Sequence, residues 1–316
     1  MRLLKVVPDN TNFRFVRLRW VAFAFTLLLT IGSIALVATR GLNLGVDFVG
    51  GLMIDARFDQ PVQLDELRTN VDSLGVGTSA LQNFGGLQNV LIRLPLPPGD
   101  EVAVQRTVQR VQTALRANHP DVSFARVETV SGKVSDELLR DGAWAIVLSM
   151  AAIVLFTWAR FEWHFGVSTI VALIHDVTVT LGFFALTQLE FDLNIVAAVL
   201  TIIGYSLNDK VVIDDRIREN LRKYRQMDIG PLIDLSVNET LSRTYATTTS
   251  LSLALASLLF FGPDVIFGFA AAMLLGIVIG TYSSVFVSSS LLISLGVSSK
   301  TFAPDDATAK AEKKGA

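Results

Sequence analysis

Three adjacent polar residues, Asn208, Asp209 and Lys210, lie near the end of an apolar run that begins at Leu193. Residues 211–213 continue the apolar pattern beyond them. An ionisable side chain inside a membrane span is costly, and such residues commonly mark ion or proton pathways. We therefore predict that Asp209 is a carboxylate that carries protons. The alternative is that the helix ends here and that Asp209 lies among the lipid headgroups.

The apolar run also carries a polar stripe at helical spacing, formed by Asn194, Thr201, Tyr205, Asn208 and Asp209. Residues spaced in this way share one face of a helix, which we expect to face protein or water rather than lipid. Lys210 lies about 100° round the helix from Asp209. Its long side chain is able to reach the membrane surface, so we rank it below Asp209 as a site residue. Asn208 and Lys210 are secondary relay or packing candidates.

Arg243 is the predicted partner of Asp209. It lies just before the next apolar run, and two consecutive spans are antiparallel, so the two residues should lie at similar depth. An ion pair between them would favour the charged carboxylate, and separation in an apolar site would favour the protonated one. The alternative is that Arg243 is an ordinary basic anchor at the end of a span.

His175 and Asp176 lie near the middle of the third apolar run. Such a pair also occurs in metal-dependent phosphohydrolases, but nothing nearby supplies the remaining ligands. We interpret the pair as a second relay or as a helix-packing contact. The other histidines are far away in the sequence, and the absence of cysteine excludes disulfides and thiol chemistry. We predict no metal, no cofactor and no enzymatic activity.

Composition and periodicity place these residues in a membrane protein. Hydrophobic residues make up 51% of the chain, and many lie in runs of the length that crosses a bilayer. We predict six transmembrane helices at about Trp20–Ala38, Leu138–Trp158, Phe165–Leu186, Leu193 onward, Thr244–Phe261 and Ile266–Leu295. The first run could be a signal peptide, but it is longer than a typical signal core and no clear cleavage site follows it.

The segment 42–136 has scattered charges and short periodic patterns instead. It predicts, in order, a strand at 48–58, a helix at 62–74, strands at 78–84 and 88–94 joined by a turn at Gly85-Gly86, a helix at 101–118 and a strand at 121–130. This βαββαβ order is that of a ferredoxin-like α+β domain, inserted between the first two transmembrane helices.

The loops divide by charge. One set carries Arg and Lys, and the other carries only acidic residues, so we expect both termini in the cytoplasm and the domain 42–136 in the periplasm. The predicted organisation is a cytoplasmic N-terminus and first helix at 1–41, helices two to six at 137–298 with a cytoplasmic loop at 214–243, and a flexible tail at 299–316.

Small residues in the last apolar run, at 268, 272, 276, 280 and 284, are each four apart. This spacing lets two helix backbones approach closely, so we interpret it as packing. The glycines at 45, 50 and 51 are not followed by a Gly-Lys-Ser/Thr sequence, and they indicate no nucleotide site.

Six motifs, in order, resemble those of the SecF family, the membrane subunit of the bacterial SecDF protein-export complex in the RND superfamily. They read GLNLGVDFVGG, SGKVSDEL, ALIHDVTVTLG, GYSLNDKVVIDDRIREN, ETLSRTYATTTS and GIVIGTYSSVFVSSSL. The resemblance covers nearly the whole chain. The family's membrane aspartate falls on Asp209 and its functional arginine on Arg243, while Lys210 departs from the smaller residue that we expect after the aspartate.

The resemblance implies a subunit in the bacterial inner membrane that uses the proton-motive force, together with SecD, to promote export of unfolded preproteins from the SecYEG channel. It implies no nucleic-acid partner. Two alternatives stay open on the sequence. A self-sufficient RND-type exporter of lipids or small molecules would need twelve spans or a homo-oligomer, and a purely structural assembly factor would tolerate neutral substitutions at Asp209 and Arg243.

Overall fold

The computed structural model describes residues 11–83, 86–263 and 266–298. The chain forms two compact units. Of the described residues, the first unit contains 11–41, 146–187, 197–263 and 266–298, and the second contains 42–83, 86–145 and 188–196. The predicted turn residue at 85 and the predicted tail at 299–316 lie outside the described residues.

The first unit is helical, and among the described residues six helical segments are long and apolar enough to cross a membrane. They are α1 (Arg19–Arg40, preceded by a short 3-10 turn), α5 (Gly132–Arg160), α6 (Trp163–Thr187), α7 (Leu193–Lys223), α8 (Ile229–Phe261) and a last span, Phe267–Ser294. The last span consists of α9 (Phe267–Tyr282), a π-helical segment (Ser283–Ser288) and α10 (Ser289–Ser294). The six predicted spans are confirmed.

The second unit contains a four-stranded antiparallel sheet. Its elements are α2 (Val46–Val49), β1 (Gly51–Arg57), α3 (Leu64–Asp72), β2 (Ala80–Asn83), β3 (Asn89–Leu94), α4 (Glu101–Asn118) and β4 (Ser123–Val130). The strand order is β2-β3-β1-β4. The inward residues of β1 and β3 pack against α3 and α4 in one core. This order, with both helices on one face, is the predicted ferredoxin-like arrangement.

A pair of glycines fixes the start of β1. The first predicted strand began at residue 48, but residues 46–49 form α2 instead. Gly50 and Gly51 then adopt positive φ values of 73° and 118°. A side chain on Gly51 would approach the carbonyl oxygen of Leu94 to 2.7 Å. Only glycine combines this backbone conformation with so close a contact, and the pair therefore sets where helix gives way to sheet.

The predicted loop at 214–243 is mostly helical, which corrects the sequence interpretation. Helix α7 continues to Lys223, α8 begins at Ile229, and only a short connection separates them. Apolar residues at helical spacing bury the facing sides of this hairpin, and they include Ile217, Leu221 and Ile233. Charged residues on the outer sides hid this amphipathic pattern from a search for uniformly apolar runs.

Glycines of the last span pack against α7, as their spacing predicted. A side chain on Gly276 would meet the Ile202 side chain at 2.4 Å, and one on Gly280 would meet Ser206 at 3.0 Å. The last span then changes from α-helix to π-helix at Ser283. Single π-helical turns inside α-helices often occur at functional sites. This one places Ser283 beside the buried charges described next.

Candidate functional site

A buried ion pair between Lys210 and Asp176 connects α7 to α6. The Nζ of Lys210 lies 3.1 Å from the Oδ2 of Asp176, and the two side chains are 0% and 1% exposed. Lys210 also donates to the hydroxyl groups of Ser206 and Ser283, the latter at 3.1 Å. Ser206 and Ser283 in turn donate to Asp176 Oδ2 at 2.5 and 2.9 Å. Residues from three spans therefore form one closed polar network.

Lys210 is a secondary relay or packing candidate whose side chain is long enough to reach the membrane surface. In the structure the side chain instead lies fully inside the helix bundle. The reason is that Asp176 faces Lys210 across the α6–α7 contact, so burial of the ammonium group is compensated by a carboxylate and two hydroxyls. An isolated buried ammonium would be far too costly.

His175 points away from this network, although it is the neighbour of Asp176. Its Nδ1 lies 2.8 Å from the hydroxyl of Thr30 on α1, and its buried Nε2 has no hydrogen-bond partner among the described residues. His175 also lines an apolar cavity of about 360 Å³ together with Phe23 and Leu27 of α1. The predicted His175–Asp176 pair is thus divided between two different helix contacts.

Asp209 is buried, with only 3% of its surface exposed. Its Oδ2 has no hydrogen-bond partner in the described part of the chain. The contacts Tyr205–Thr248 (3.0 Å) and Arg216–Glu239 (2.7 Å) join α7 to α8 on either side of it. Asp209 is therefore a desolvated carboxylate that is only partly compensated.

Arg243 lies on α8 between those two contacts, and hence at the level of Asp209, as the depth argument predicted. It is exposed, and within the described ranges no hydrogen bond or ion pair joins it to Asp209. The charge of Arg243 still acts on Asp209 electrostatically. The two residues are thus neighbours in this structure without forming the expected direct pair.

A chain of hydroxyl groups lies one turn from Asp209. Tyr205 precedes it by four residues, so the two share a helix face. The Tyr205 hydroxyl lies 3.0 Å from Thr248 of α8, and Thr248 lies 3.0 Å from Thr281 of the last span. Hydroxyl groups both donate and accept hydrogen bonds, so such a chain is able to carry a proton between helices.

Some residues of the predicted polar stripe on α7 are buried, and others are exposed. Asp209 is buried and Tyr205 half-buried, but Asn208 is exposed. An exposed row of small and polar residues runs along the same helix and consists of Asn194, Ala197, Thr201, Gly204 and Asn208. We call these five residues the open α7 face. No other element of the described chain covers them.

Sequence reasoning missed Asp214, Ser206 and Ser283. Asp214 is 2% exposed, and its Oδ2 lies 3.5 Å from the hydroxyl of Thr169 on α6. A signal was available, because Ser206, Lys210 and Asp214 are each four residues apart on one face of α7. The position of Ser283 could not be read in this way, since it depends on the π-helical turn.

A second group of carboxylates lies in the second unit, outside the spans. Burial raises the pKa of Glu190, and Arg93, whose guanidinium is 3.3 Å away, offsets part of this effect. Burial also raises the pKa of Asp192 and of Glu128. The connection between α6 and α7 is further bound to the sheet domain by a hydrogen bond from Leu193 N to Asp47 Oδ2, 3.0 Å long.

The fold and the site together define a class: a multi-pass membrane protein with a small ferredoxin-like domain between its first two spans and buried charges in the following ones. Two family descriptions match the chain. "Protein export membrane protein SecD/SecF, C-terminal" matches residues 110–298, and "SecD/SecF GG Motif" matches residues 35–62, which include the glycines before β1.

The chain belongs to the SecD/SecF family. It is 40% identical over 290 residues to the protein translocase subunit SecF of Rickettsia felis, covering 92% of this chain and 94% of that protein. It is 41% identical over 290 residues to the SecF of Rickettsia prowazekii, covering 92% and 93%.

Solved structures of SecDF have the same fold. The crystal structure of SecDF, a translocon-associated membrane protein from Thermus thermophilus, is 33% identical with a TM-score of 0.82 and covers 91% of this chain. A SecDF structure in a super-membrane-facing form is 32% identical with a TM-score of 0.67 and covers 97%. The chain spans 39% and 40% of the length of those two chains.

Proposed function

We propose that this protein is a proton-coupled subunit of the bacterial protein-export machinery, which acts with a SecD partner beside the SecYEG channel on unfolded preproteins. The observation that carries the proposal is Asp209, a buried carboxylate in a membrane span. One of its oxygens has no hydrogen-bond partner among the residues that the structure describes, and an arginine lies at the same level. The names of the relatives support the export role, and the buried charges support the coupling to protons.

The mechanism rests on the competition between two states of Asp209. In the charged state the carboxylate attracts Arg243, and in the protonated state it loses that attraction and is easier to bury. The Tyr205–Thr248–Thr281 hydroxyl chain provides a path between α7, α8 and the last span. Protonation would therefore change the packing of the helices that surround Asp209.

The available energy is sufficient for such a step. One proton that crosses 100 mV releases about 2.3 kcal/mol, and each unit of pH difference adds about 1.4 kcal/mol. A bias of a few kcal/mol moves a two-state equilibrium substantially. Helix α7 also begins at the connection bound to the sheet domain, so a shift of this helix would act on that domain through continuous backbone.

The fixed Asp176–Lys210 pair has a different role in this proposal. All three N–H groups of the Lys210 ammonium have acceptors, so its charge is already compensated. The pair would hold α6, α7 and the last span together while Asp209 changes its protonation state. His175 would support this arrangement as a packing contact to α1.

The open α7 face is the surface that we assign to the SecD partner. Small residues at this spacing allow close helix contact within a membrane. Gly204→Leu should leave the isolated chain folded, because nothing lies within 4 Å of its position, and should reduce co-purification of SecD. The matched control is Gly32→Leu on α1, which also has open space around it. Equal loss of SecD in both variants would contradict this assignment.

We also propose an orientation in the inner membrane with both termini in the cytoplasm. Arg160 ends α5, and Arg222 and Arg225 lie at the end of α7 and in the connection after it, whereas the connection before α7 carries Glu190 and Asp192. Short basic loops remain on the cytoplasmic side. The sheet domain would then be periplasmic, where it could meet the emerging preprotein.

Export in cells tests the function. Cells that carry Asp209→Asn should lose the part of preprotein export that depends on the proton-motive force, while the protein level and the association with SecD remain unchanged. The control is Asp215→Asn, which removes an exposed carboxylate from the same helix. If Asp209→Asn supports the same protonophore-sensitive export as the wild type, the proposed coupling is wrong.

A further inference from the structure

A basic depression lies at the end of α5 and α7. Its volume is about 590 Å³, and its lining consists of Arg160, Asp215, Arg218, Glu219, Arg222 and Lys223. Four of these six residues are cationic. No residue of the proton site described above contributes to it.

The depression lies at the level of the membrane surface. Arg160 is the last residue of α5, and α6 begins at Trp163. The neighbouring Trp158 and Trp163 are 65% and 52% exposed, as aromatic residues at a membrane interface commonly are. Helix α7 has 31 residues, or roughly 46 Å, so its last turns extend beyond a hydrocarbon core of about 30 Å.

One aromatic ring holds two of the cations. The guanidinium carbons of Arg160 and Arg218 lie 5.0 and 6.0 Å from the centre of the buried Phe161 ring. The contacts with the Phe161 ring hold both guanidinium groups at the wall of the depression. Two like charges this close repel each other unless anions compensate them.

The acidic residues of the lining are already engaged by arginines. Asp215 pairs with Arg160 at 3.5 Å, and Glu219 pairs with Arg216 at 2.6 Å. In the described part of the chain, Arg222 and Lys223 have no ion pair, and the Nζ of Lys223 lies 4.9 Å from the centre of the Tyr224 ring. The depression therefore has an excess of positive charge that the protein itself does not neutralise.

A buried donor strengthens this conclusion. Arg218 Nη2 forms an ion pair with Glu162 Oε1 at 3.2 Å, but the Arg218 Nε is buried and has no hydrogen-bond partner within the described ranges. An unsatisfied buried N–H is costly, and a charged one more so. Arg218 is therefore incompletely satisfied at the wall of the depression, which adds to the uncompensated positive charge there.

We propose that this depression binds the phosphate-bearing headgroup of an anionic phospholipid. Guanidinium groups match the oxygens of a phosphate group in geometry and charge. Basic pockets between transmembrane helices at the membrane surface are suited to such headgroups. Exposed apolar residues at the end of α5 and at the start of α6, such as Phe156 and Trp163, provide a surface for the acyl chains of a lipid. A free anion has no acyl chains and would not use this surface.

Binding to the purified full-length chain in neutral detergent tests the proposal. We expect phosphatidylglycerol to bind and to raise the unfolding temperature more than phosphatidylcholine. Arg222→Gln and Lys223→Gln should each weaken the binding of phosphatidylglycerol about fivefold. Both side chains are exposed, so neither substitution should affect folding. The matched control is Arg225→Gln, which removes the same charge from an exposed position outside the lining.

The outcomes are distinct. A loss of binding in Arg222→Gln and Lys223→Gln, with Arg225→Gln close to wild type, supports a built headgroup site. An equal loss in all three variants means diffuse electrostatic attraction and overturns the site. Equal stabilisation by phosphatidylcholine, or by inorganic phosphate, overturns the assignment to an anionic lipid. None of these results affects the proposed role of Asp209.

Discussion

The two carboxylates Asp176 and Asp209 lie in adjacent membrane helices but differ in how their charge is compensated. Asp176 Oδ2 accepts from an ammonium group and two hydroxyls, although its Oδ1 has no partner among the described residues, whereas Asp209 Oδ2 has no partner there and no cation contacts it directly. Lys210 is next to Asp209 in sequence, yet it is committed to Asp176. The directly paired carboxylate suits a structural contact, and the carboxylate without a direct counter-charge suits a group that gains and loses a proton.

Lys210→Met should destabilise the protein by about 3–5 kcal/mol, because it leaves the Asp176 carboxylate buried without its counter-charge. The measurement is the thermal unfolding of the purified protein in detergent. The double variant Asp176→Asn/Lys210→Met should recover most of this loss, since it removes both charges together. If the double variant is less stable than Lys210→Met alone, the ion pair is not what makes the single substitution costly.

At the scale of elements, the network depends on how closely the last span approaches α7. The absence of side chains at Gly276 and Gly280 brings the two backbones together at Ile202 and Ser206. Ser206 and Ser283 then reach the same carboxylate oxygen from opposite helices. Interfaces of small residues have this function in membrane proteins, where packing rather than hydrophobic burial drives association.

Gly276→Ala should destabilise the protein by about 1–3 kcal/mol, because the added methyl group would lie 2.4 Å from the Ile202 side chain. Unfolding in detergent measures this change. Gly204→Ala is the matched control on α7, where nothing lies within 4 Å and alanine favours the helix. Equal stability of the two variants would show that the contact relaxes at no cost.

The sheet domain should lose stability as the pH rises through the acidic range. Burial raises the pKa of Glu190 above the ordinary value of 4.5, so the folded domain binds this proton more tightly than the unfolded chain does. The stabilisation is therefore present below the ordinary value and is lost as the pH rises through the raised one. Hydrogen-exchange protection of β1 and β4, corrected for intrinsic rates, measures the effect.

In this measurement Glu190→Gln should show a smaller decrease in protection with rising pH than the wild type, because it has no proton to release. Glu66→Gln, which replaces an exposed carboxylate on α3, is the control and should follow the wild type. If the protection of the wild type rises with pH relative to that of Glu190→Gln, the pKa of Glu190 is not raised by burial in the folded domain.

The periodicity of the sequence predicted the helices and strands better than it predicted which side chains contact each other. The six spans and the βαββαβ order follow from apolar runs and alternation, and the helix 101–118 was predicted to its observed ends. The length of the two helices in the α7–α8 hairpin was underestimated, because charged residues alternate with the buried apolar residues of this segment. The partner of Lys210 was not predictable, since it depends on the rotation of three helices and on a π-helical turn that local sequence does not reveal.

At the scale of the whole molecule, the chain has the features of one part of a larger assembly. It spans about two fifths of the SecDF chains that share its fold. Its open α7 face places exposed Thr201 and Asn208 within a membrane span, next to the buried Asp209. Polar groups in a span are expected to face protein or water. A partner on this face would enclose Asp209 and decide from which side protons reach it.

Proton flux into sealed vesicles that contain this chain assembled with SecD tests the role of Asp209 most directly. A pH-sensitive dye inside the vesicles would report the flux after an imposed gradient, with Asp215→Asn as the control for loss of a carboxylate from α7. We expect the wild type and Asp215→Asn to conduct protons and Asp209→Asn to conduct none above the lipid background. Unchanged flux in Asp209→Asn would contradict the account, because the proton would then cross without the carboxylate on which the mechanism depends.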